Sequence, residues 1–274
     1  MFLAAVIQMR STEDERANLA QAEALIRRAA SHGASLIGTP ENTNFLGAPS
    51  TATATARPLD GPVPSRFAAL ARELGVHLLL GSYNEMGDDP RRHRNTSLLF
   101  GSDGSRLAVY RKIHLFDVDL PDGGARHRES EHVEPCREAV VAETPLGRVG
   151  MSICYDLRFG NLYRRLVRLG AQILTVPAAF TLATGRDHWE VLLRARAIES
   201  QCYVLAPAQW GRHDASGHRE SYGHAMIVDP WGTVVARAAD GPGIAIAEVD
   251  LARVERARQA IPTRSHGPEW LDET

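Results

Sequence analysis

Apolar and polar positions along the 274-residue chain follow two periods in turn, a short apolar run and then a stretch repeating every three to four residues. The first period marks strands and the second marks amphipathic helices. Leu3 to Ile7 is strand-like. Thr12 and Glu15 have capping-box spacing and open a helix that runs to about His32, with Gly33 as its stop. The strand "ASLIG" follows and ends at Thr39-Pro40-Glu41-Asn42. A Thr/Ala/Pro-rich loop from Pro49 to Pro64 leads to a helix with Phe67, Leu70 and Leu74 on one face and Gly75 closing it. "VHLLLGSYNE" is the next strand.

Two hairpins interrupt this alternation. "TSLLFGSDGSRLAVYRK" turns at Asp103-Gly104, and "AVVAETPLGRVGMSIC" turns through Pro145-Leu146-Gly147, with a polar loop from Pro121 to Arg137 between them. Leu162, Leu166 and Leu169 mark a helix ending at Gly170, and "AQILTVPA" is the strand after it. A helix from His188 to Gln201 carries Leu192, Ala195 and Ile198, and "CYVLAPA" follows as a strand. "HAMIVDPWGTVVARAADGPGIAIAEVDL" reads as a meander turning at Pro230-Trp231-Gly232. From about Arg253 the tail is a short helix and then polar. The chain is therefore α/β. Hairpins argue against a purely parallel sheet, and helices outside two stacked mixed sheets would bury both sheet faces, a four-layer α-β-β-α sandwich. No repeat or composition break divides residues 1–274, so one domain is expected.

Composition removes several function classes. Net charge is −2 with no long basic block, and Arg91-Arg92-His93-Arg94 reads as a solvated loop rather than a nucleic-acid patch. Three cysteines (Cys136, Cys154, Cys202) without C-x-x-C spacing signal neither a disulfide framework nor a zinc ribbon. "MFLAAVIQMR" reads as a first strand, not a secretory signal, and no apolar run approaches the ~20 residues of a membrane span. A soluble, cytoplasmic protein with no membrane partner is the expectation. Asn95-Thr96-Ser97 matches a glycosylation sequon, which carries no meaning without export.

Cys154 lies where an apolar strand gives way to a helical pattern, with Asn161 placed to cap that helix. Reactive groups collect at the carboxyl ends of strands in open α/β folds, and a strand-to-helix turn leaves backbone N–H groups free for an oxyanion. Against this, free cysteine is commonly an inert core residue. A thiol of pKa ~8.5 needs a base or a cation beside it. Glu41 stands at a strand mouth, because Pro40 turns the chain out of helix there. Lys112 closes "LAVYRK", and Arg111 beside it must face the other way. His114, His188 and His224 are rival partners of a papain-like pair, and spacing alone does not choose among them.

Taken together, "TPEN", "YRKIHLFDVDLP" and "GMSICYDLRF" resemble the nitrilase superfamily of carbon–nitrogen hydrolases, and "HWEVLLRARAIESQCYV" and "SYGHAMIVDPWGTVVAR" extend the resemblance over nearly the whole chain. Within it the Nit branch is most similar; its members act as amidases on deaminated glutathione, with ω-amidases on α-keto acid amides as relatives. The resemblance implies a triad of Glu41, Lys112 and Cys154, with Glu129 of "RES" holding the lysine. It further implies an oxyanion contact from the Tyr155 backbone N–H, a carboxylate-gripping Arg158, and pocket positions at Phe180 and Thr184. It implies neither metal nor organic cofactor, a small-molecule amide as partner, and a homodimer or larger assembly. Arg194, Arg196 and Glu199 are expected to form structural ion pairs near a subunit contact, and Trp189 and Trp231 to be packing residues. The chain departs from the branch at Gly160-Asn161 in place of Pro-Glu, at Cys136 in place of a turn glycine, and at Gly38-Thr39 in place of bulkier apolar residues. The implied activity is thiol-dependent hydrolysis of a small carboxylate-bearing amide. Deaminated glutathione is the first substrate, α-ketoglutaramate or α-ketosuccinamate the alternative, and an N-carbamoyl amino acid the more distant one. A silent scaffold of the same fold is the non-enzyme reading. A metallohydrolase lacks any H-E-x-x-H cluster.

Overall fold

The computed structural model describes residues 1–119, 126–214 and 219–263. In chain order the strands are β1 (Phe2–Met9), β2 (Ala34–Gly38), β3 (His77–Met86), β4 (His93–Phe100), β5 (Arg106–Arg111), β6 (Asp117–Asp119), β7 (Arg126–Arg128), β8 (Val141–Thr144), β9 (Gly147–Met151), β10 (Ile173–Thr175), β11 (Tyr203–Ala206), β12 (Ala208–Arg212), β13 (Glu220–Tyr222), β14 (Met226–Val228), β15 (Val234–Arg237) and β16 (Gly243–Val249). The helices are α1 (Glu15–Ser31), α2 (Pro49–Ala54), α3 (Pro62–Leu74), α4 (Gly160–Arg168), α5 (Leu182–Ser200) and α6 (Leu251–Ala260), with 3-10 turns at Glu129–Glu131 and Cys154–Arg158.

Successive side chains of a strand point to opposite faces, and in β1 those faces meet two different cores. Ala4 and Val6 pack with Leu36, Leu79, Val149, Leu174 and Val204, between the sheets. Ala5, Ile7 and Met9 pack instead with Leu19 and Ile26 of α1 and Phe67 and Leu70 of α3. The inter-sheet core continues through the second sheet to Leu162 and Leu166 of α4 and Trp189 and Leu193 of α5. The layers are thus helix, sheet, sheet, helix, as expected. Burial on both faces is why the central strands read as unbroken apolar runs.

One sheet runs β13-β12-β1-β2-β3-β4-β5 with β16 antiparallel to β1; the other runs β15-β14-β11-β10-β9-β8. Both are mixed, with β1, β2 and β3 parallel in the first and β9, β10 and β11 parallel in the second. Two antiparallel steps, β3 to β4 and β4 to β5, return β5 to the direction of β3. Residues following β2, β5, β9 and β10 therefore emerge at strand ends of common sense.

Several local expectations need correction. Asp14, not Thr12, caps α1, with its Oδ1 accepting from Ala17 N at 3.0 Å, while Thr12 Oγ1 accepts from Asp14 N at 3.3 Å and holds the cap in place. The Pro49–Pro64 loop contains α2, started by Pro49. Asn161 lies inside α4, which the preceding 3-10 turn feeds through Phe159 alone, so no side-chain cap forms. Leu169 falls at the end of that helix and is 39% exposed. Helix α5 begins at Leu182 and buries Trp189, Leu193, Arg196 and Ala197, leaving Ile198 exposed. Its inward stripe includes an arginine, which hydrophobic periodicity cannot register. The terminal meander is split, since β14 and β15 stay in the second sheet and β16 crosses to β1. Trp231, at the β14–β15 turn, is exposed rather than packed. His93 and Arg94 belong to β4, His93 buried and Arg94 paired with Asp88 and Glu134, so only Arg91 and Arg92 remain as solvated loop. Between Pro121 and Arg137 the chain forms β7 and a 3-10 turn; residues 121–125, and the polar tail past 263, lie outside the described residues.

Candidate active site

Beyond β2 the chain enters a turn held by hydroxyls. Thr39 Oγ1 donates to Leu79 O at 3.2 Å and accepts from Gly81 N at 3.0 Å, and Thr43 Oγ1 donates to Pro40 O at 2.6 Å. Gly81 is required here, because a Cβ on it would lie 1.8 Å from Thr39 O. Gln209 Nε2 donates to the Glu41 carbonyl at 2.9 Å. These contacts aim a carboxylate that is only 3% exposed into the interior. Glu41 Oε1 accepts from Lys112 Nζ and from Asn95 Nδ2, each at 2.9 Å, and Oε2 accepts from Ala179 N at 2.8 Å.

Lys112 follows β5 and is 2% exposed. Its Nζ also donates to Glu129 Oε1 and Oε2 at 3.0 and 2.9 Å, while Glu129 Oε2 accepts from Phe116 N at 2.6 Å. Burial works against the ammonium, but Glu129 and Glu41 outweigh it and hold the Lys112 pKa well above its usual value. The residue is a fixed cation at neutral pH. As strand alternation requires, Arg111 points away and forms a bidentate pair with Glu85 at 2.6 and 2.7 Å.

Cys154 opens the 3-10 turn after β9 with φ +47°, a left-handed conformation uncommon for a non-glycine residue. Its N–H donates to Pro177 O at 2.9 Å. The thiol is buried, within electrostatic reach of both the Glu41 carboxylate and the Lys112 ammonium. Burial first, then the charge of Glu41, pushes its pKa well above the ordinary value, with Lys112 pulling the other way. A protonated thiol therefore stands near a base. Asp156, fully buried, holds this turn: Oδ2 accepts from Ile153 N at 2.9 Å and Tyr110 Oη at 2.6 Å, and Oδ1 from His114 N at 3.0 Å and His114 Nδ1 at 2.7 Å. One carboxylate thus ties the cysteine turn to the segment after the lysine. The Tyr155 N–H lies in the first turn, where a helical N–H has no acceptor within the turn.

Around this centre, the Arg158 guanidinium lies 5.0 Å from the Phe180 ring centroid and 5.9 Å from that of Tyr155, with Nη1 3.3 Å from His188 Nδ1. It meets neither Asp156 nor Glu190; Glu190 pairs with Arg194 and Arg237. Among the described residues no carboxylate pairs with Arg158. Phe180 is buried against Trp189, and Thr184 Oγ1 meets Thr181 Oγ1 at 2.8 Å. Of the rival histidines, His114 is committed to Asp156, His188 to Arg158, and His224 faces Asp240. Arg196 bridges Leu157 O and Glu199, and Arg194 reaches Gly232 O. Cys136 occupies its turn without a positive φ, its N–H donating to Lys112 O at 3.0 Å. Gly38 is matched by Pro207 Cγ, 3.4 Å from where a Cβ would stand.

Two positioning groups were not visible as such in the sequence. Asn95, read there as part of a sequon, donates to Glu41 and, at 3.4 Å, to Glu129 Oε1. Asp156, in the turn after Cys154, carries no pattern that marks it as the anchor of that turn. Among the described residues there is no cluster of three or more metal-ligating side chains, and no helix is long and apolar enough to cross a membrane. The arrangement joins a thiol, a base and a cation in the protein interior, which suits proton removal from sulfur and stabilisation of new negative charge.

Comparison with known proteins places this geometry in a family context. The carbon-nitrogen hydrolase family pattern matches residues 3–259. Mouse deaminated glutathione amidase is 46% identical over 270 residues, covering 96% of this chain and 82% of the relative. The structure of the NitFhit protein of C. elegans superposes with a TM-score of 0.90 at 41% identity, covering 98% of this chain but 66% of that longer one. That of Saccharomyces cerevisiae Nit3, a member of branch 10 of the nitrilase superfamily, superposes with a TM-score of 0.86 at 31% identity, covering 97% and 96%.

Proposed function

We propose, starting from the fact that the chain belongs to the carbon–nitrogen hydrolase family, that it cleaves the amide bond of deaminated glutathione through a thioester on Cys154. The observation that carries this reading is one buried carboxylate, Glu41, bonded to the Lys112 ammonium at 2.9 Å and near enough to the Cys154 thiol to raise its pKa. Glu41 accepts the thiol proton as sulfur attacks the amide carbonyl. The oxyanion that forms is stabilised by Lys112 and the Tyr155 N–H. Glu41 then returns the proton to the departing amine, leaving an acyl thioester. Water, deprotonated by the same carboxylate, attacks the thioester, and collapse releases the acid and restores the thiol. Glu129 keeps Lys112 in place and charged, and Asn95 orients both carboxylates.

Substrate choice rests on the name of the mouse relative and on Arg158, a guanidinium free to grip a substrate carboxylate in bidentate fashion beside Phe180 and Thr184. The same reading takes residues 1–274 as one domain, in line with the family match over 3–259. It also takes the protein as cytoplasmic, where three unpaired cysteines are at home. A homo-oligomer would cover the exposed Val191, Ile198 and Trp231.

The test is formation of α-ketoglutarate from deaminated glutathione and from α-ketoglutaramate, with mass spectrometry of Cys154 during turnover. A higher kcat/KM for deaminated glutathione, an acylated Cys154 and an inert Cys154→Ala support the proposal. Preference for α-ketoglutaramate would make the protein an ω-amidase. Absence of turnover and of acylation with every amide would leave a silent scaffold.

A further inference from the structure

At the carboxyl ends of β1 and β12 lies a second cavity of about 520 Å³, lined by neither Cys154, Glu41 nor Lys112. Parallel pairing of Met9 with Gln209 sets Arg10 beside Trp210, and antiparallel pairing opposes Trp210 to Tyr222. Directly opposed residues share one face of a ladder, so the indole and the phenol form a half-buried aromatic floor. From the far side α5 contributes Leu182, its first residue, and Arg186. That helix has no side-chain cap, so its positive end opens on the cavity.

The charges are unbalanced toward the positive. Arg10, Arg186 and Arg212 all line the cavity. Two carboxylates line it as well, Glu220 3.8 Å from Arg212 and Asp240 3.7 Å from His224, so three guanidiniums face two carboxylates. Neither Arg10 nor Arg186 is paired with a carboxylate among the described residues. The His224 Nδ1 is buried without a hydrogen-bond partner. The cavity lining meets the segment that carries Phe180 at a packed junction, where Tyr222 N donates to Phe180 O at 2.9 Å and Thr181 bridges to Ser221. Gly185 lets that junction close, since a Cβ there would lie 2.3 Å from Tyr222 Cβ.

We propose that this cavity is a second ligand site for a small anion bearing a planar group, its carboxylate or phosphate held by Arg10 and Arg186 and its ring laid on Trp210 and Tyr222. Guanidinium forks match carboxylate and phosphate geometry alike, and a ring resting on an aromatic floor adds area without added charge. The site is independent of the amide pocket.

Calorimetry at low ionic strength on the full chain, with Cys154 first alkylated to block the amide pocket, tests this. The probes are adenosine monophosphate, phthalate, inorganic phosphate and adenosine, which separate phosphate from carboxylate and anion from ring. Saturable binding of adenosine monophosphate or phthalate at one per chain is expected, about tenfold tighter than inorganic phosphate or adenosine. Arg10→Gln and Arg186→Gln should each weaken it about tenfold while amidase turnover, measured before alkylation, stays at the wild-type level and reports an intact fold. Arg10 and Arg186 are both exposed, so neither replacement threatens folding. The proposal fails if no probe saturates, if inorganic phosphate binds as tightly as either ring-bearing anion, if both arginine variants bind normally, or if alkylation of Cys154 abolishes binding.

Discussion

Replacing Lys112 by methionine keeps the length of the side chain and deletes the charge that three carboxylate oxygens share at 2.9 to 3.0 Å. Removing one partner of a buried ion pair costs about 3–5 kcal/mol because the other charge is left uncompensated. Protonation limits the damage. At pH 7 a carboxyl of ordinary pKa about 4.3 takes up a proton at a cost of about 3.7 kcal/mol, and at pH 5 at a cost of about 1 kcal/mol. In the variant the folded-state pKa of the orphaned carboxyls lies above the unfolded value. The stability tied to their protonation is therefore present at low pH and lost as pH rises through the folded pKa. In the wild type the raised Lys112 pKa contributes stability that is complete below about 10.4, so it is constant between pH 5 and 7. Urea unfolding of both proteins at pH 5, 6 and 7 should give a deficit of about 3–4 kcal/mol at pH 7 that shrinks toward about 1 kcal/mol at pH 5. The kcat should fall by about 10²–10³, without recovery at pH 5, because the oxyanion loses a donor. A deficit that is the same at pH 5 and 7, or a kcat within tenfold of wild type, would refute the reasoning.

Three further outcomes follow from the geometry. Iodoacetamide should alkylate Cys154 slowly at pH 7 and ever faster beyond pH 9, since burial and Glu41 raise its pKa; a plateau near pH 7 would contradict that placement. Asp156→Ala strips a buried acceptor from Tyr110, His114 and Ile153 and should cost about 4 kcal/mol in urea unfolding, with less than about 1 kcal/mol counting against it as the anchor of the turn. Arg158→Lys should raise KM about tenfold with kcat little changed, because an ammonium loses the bidentate grip; an unaltered KM would remove Arg158 from substrate binding.

Much of the candidate site was legible because its members are reactive types standing at strand ends. Strand period placed Glu41 after β2, Lys112 after β5 and Cys154 after β9, and two-residue alternation correctly sent Arg111 to the opposite face. Choosing Glu41 over three histidines required the family's motifs, since an acid 113 positions away from the thiol leaves no periodic trace. Asn95 and Asp156 leave none either. An amide in a strand and an acid in a turn look alike whether they face solvent or a buried carboxylate.

What the sequence by itself determined is the set of elements and the order of the chemistry along them, because backbone propensity and burial period act over a few residues. Tertiary structure decided where distant pieces meet: β16 leaving its hairpin neighbours to pair with β1, Arg196 turning inward along α5, and Ala179 lending its N–H to Glu41 across 138 positions. Those contacts satisfy buried polar groups, a condition imposed by the whole packed interior and written in no short stretch of chain.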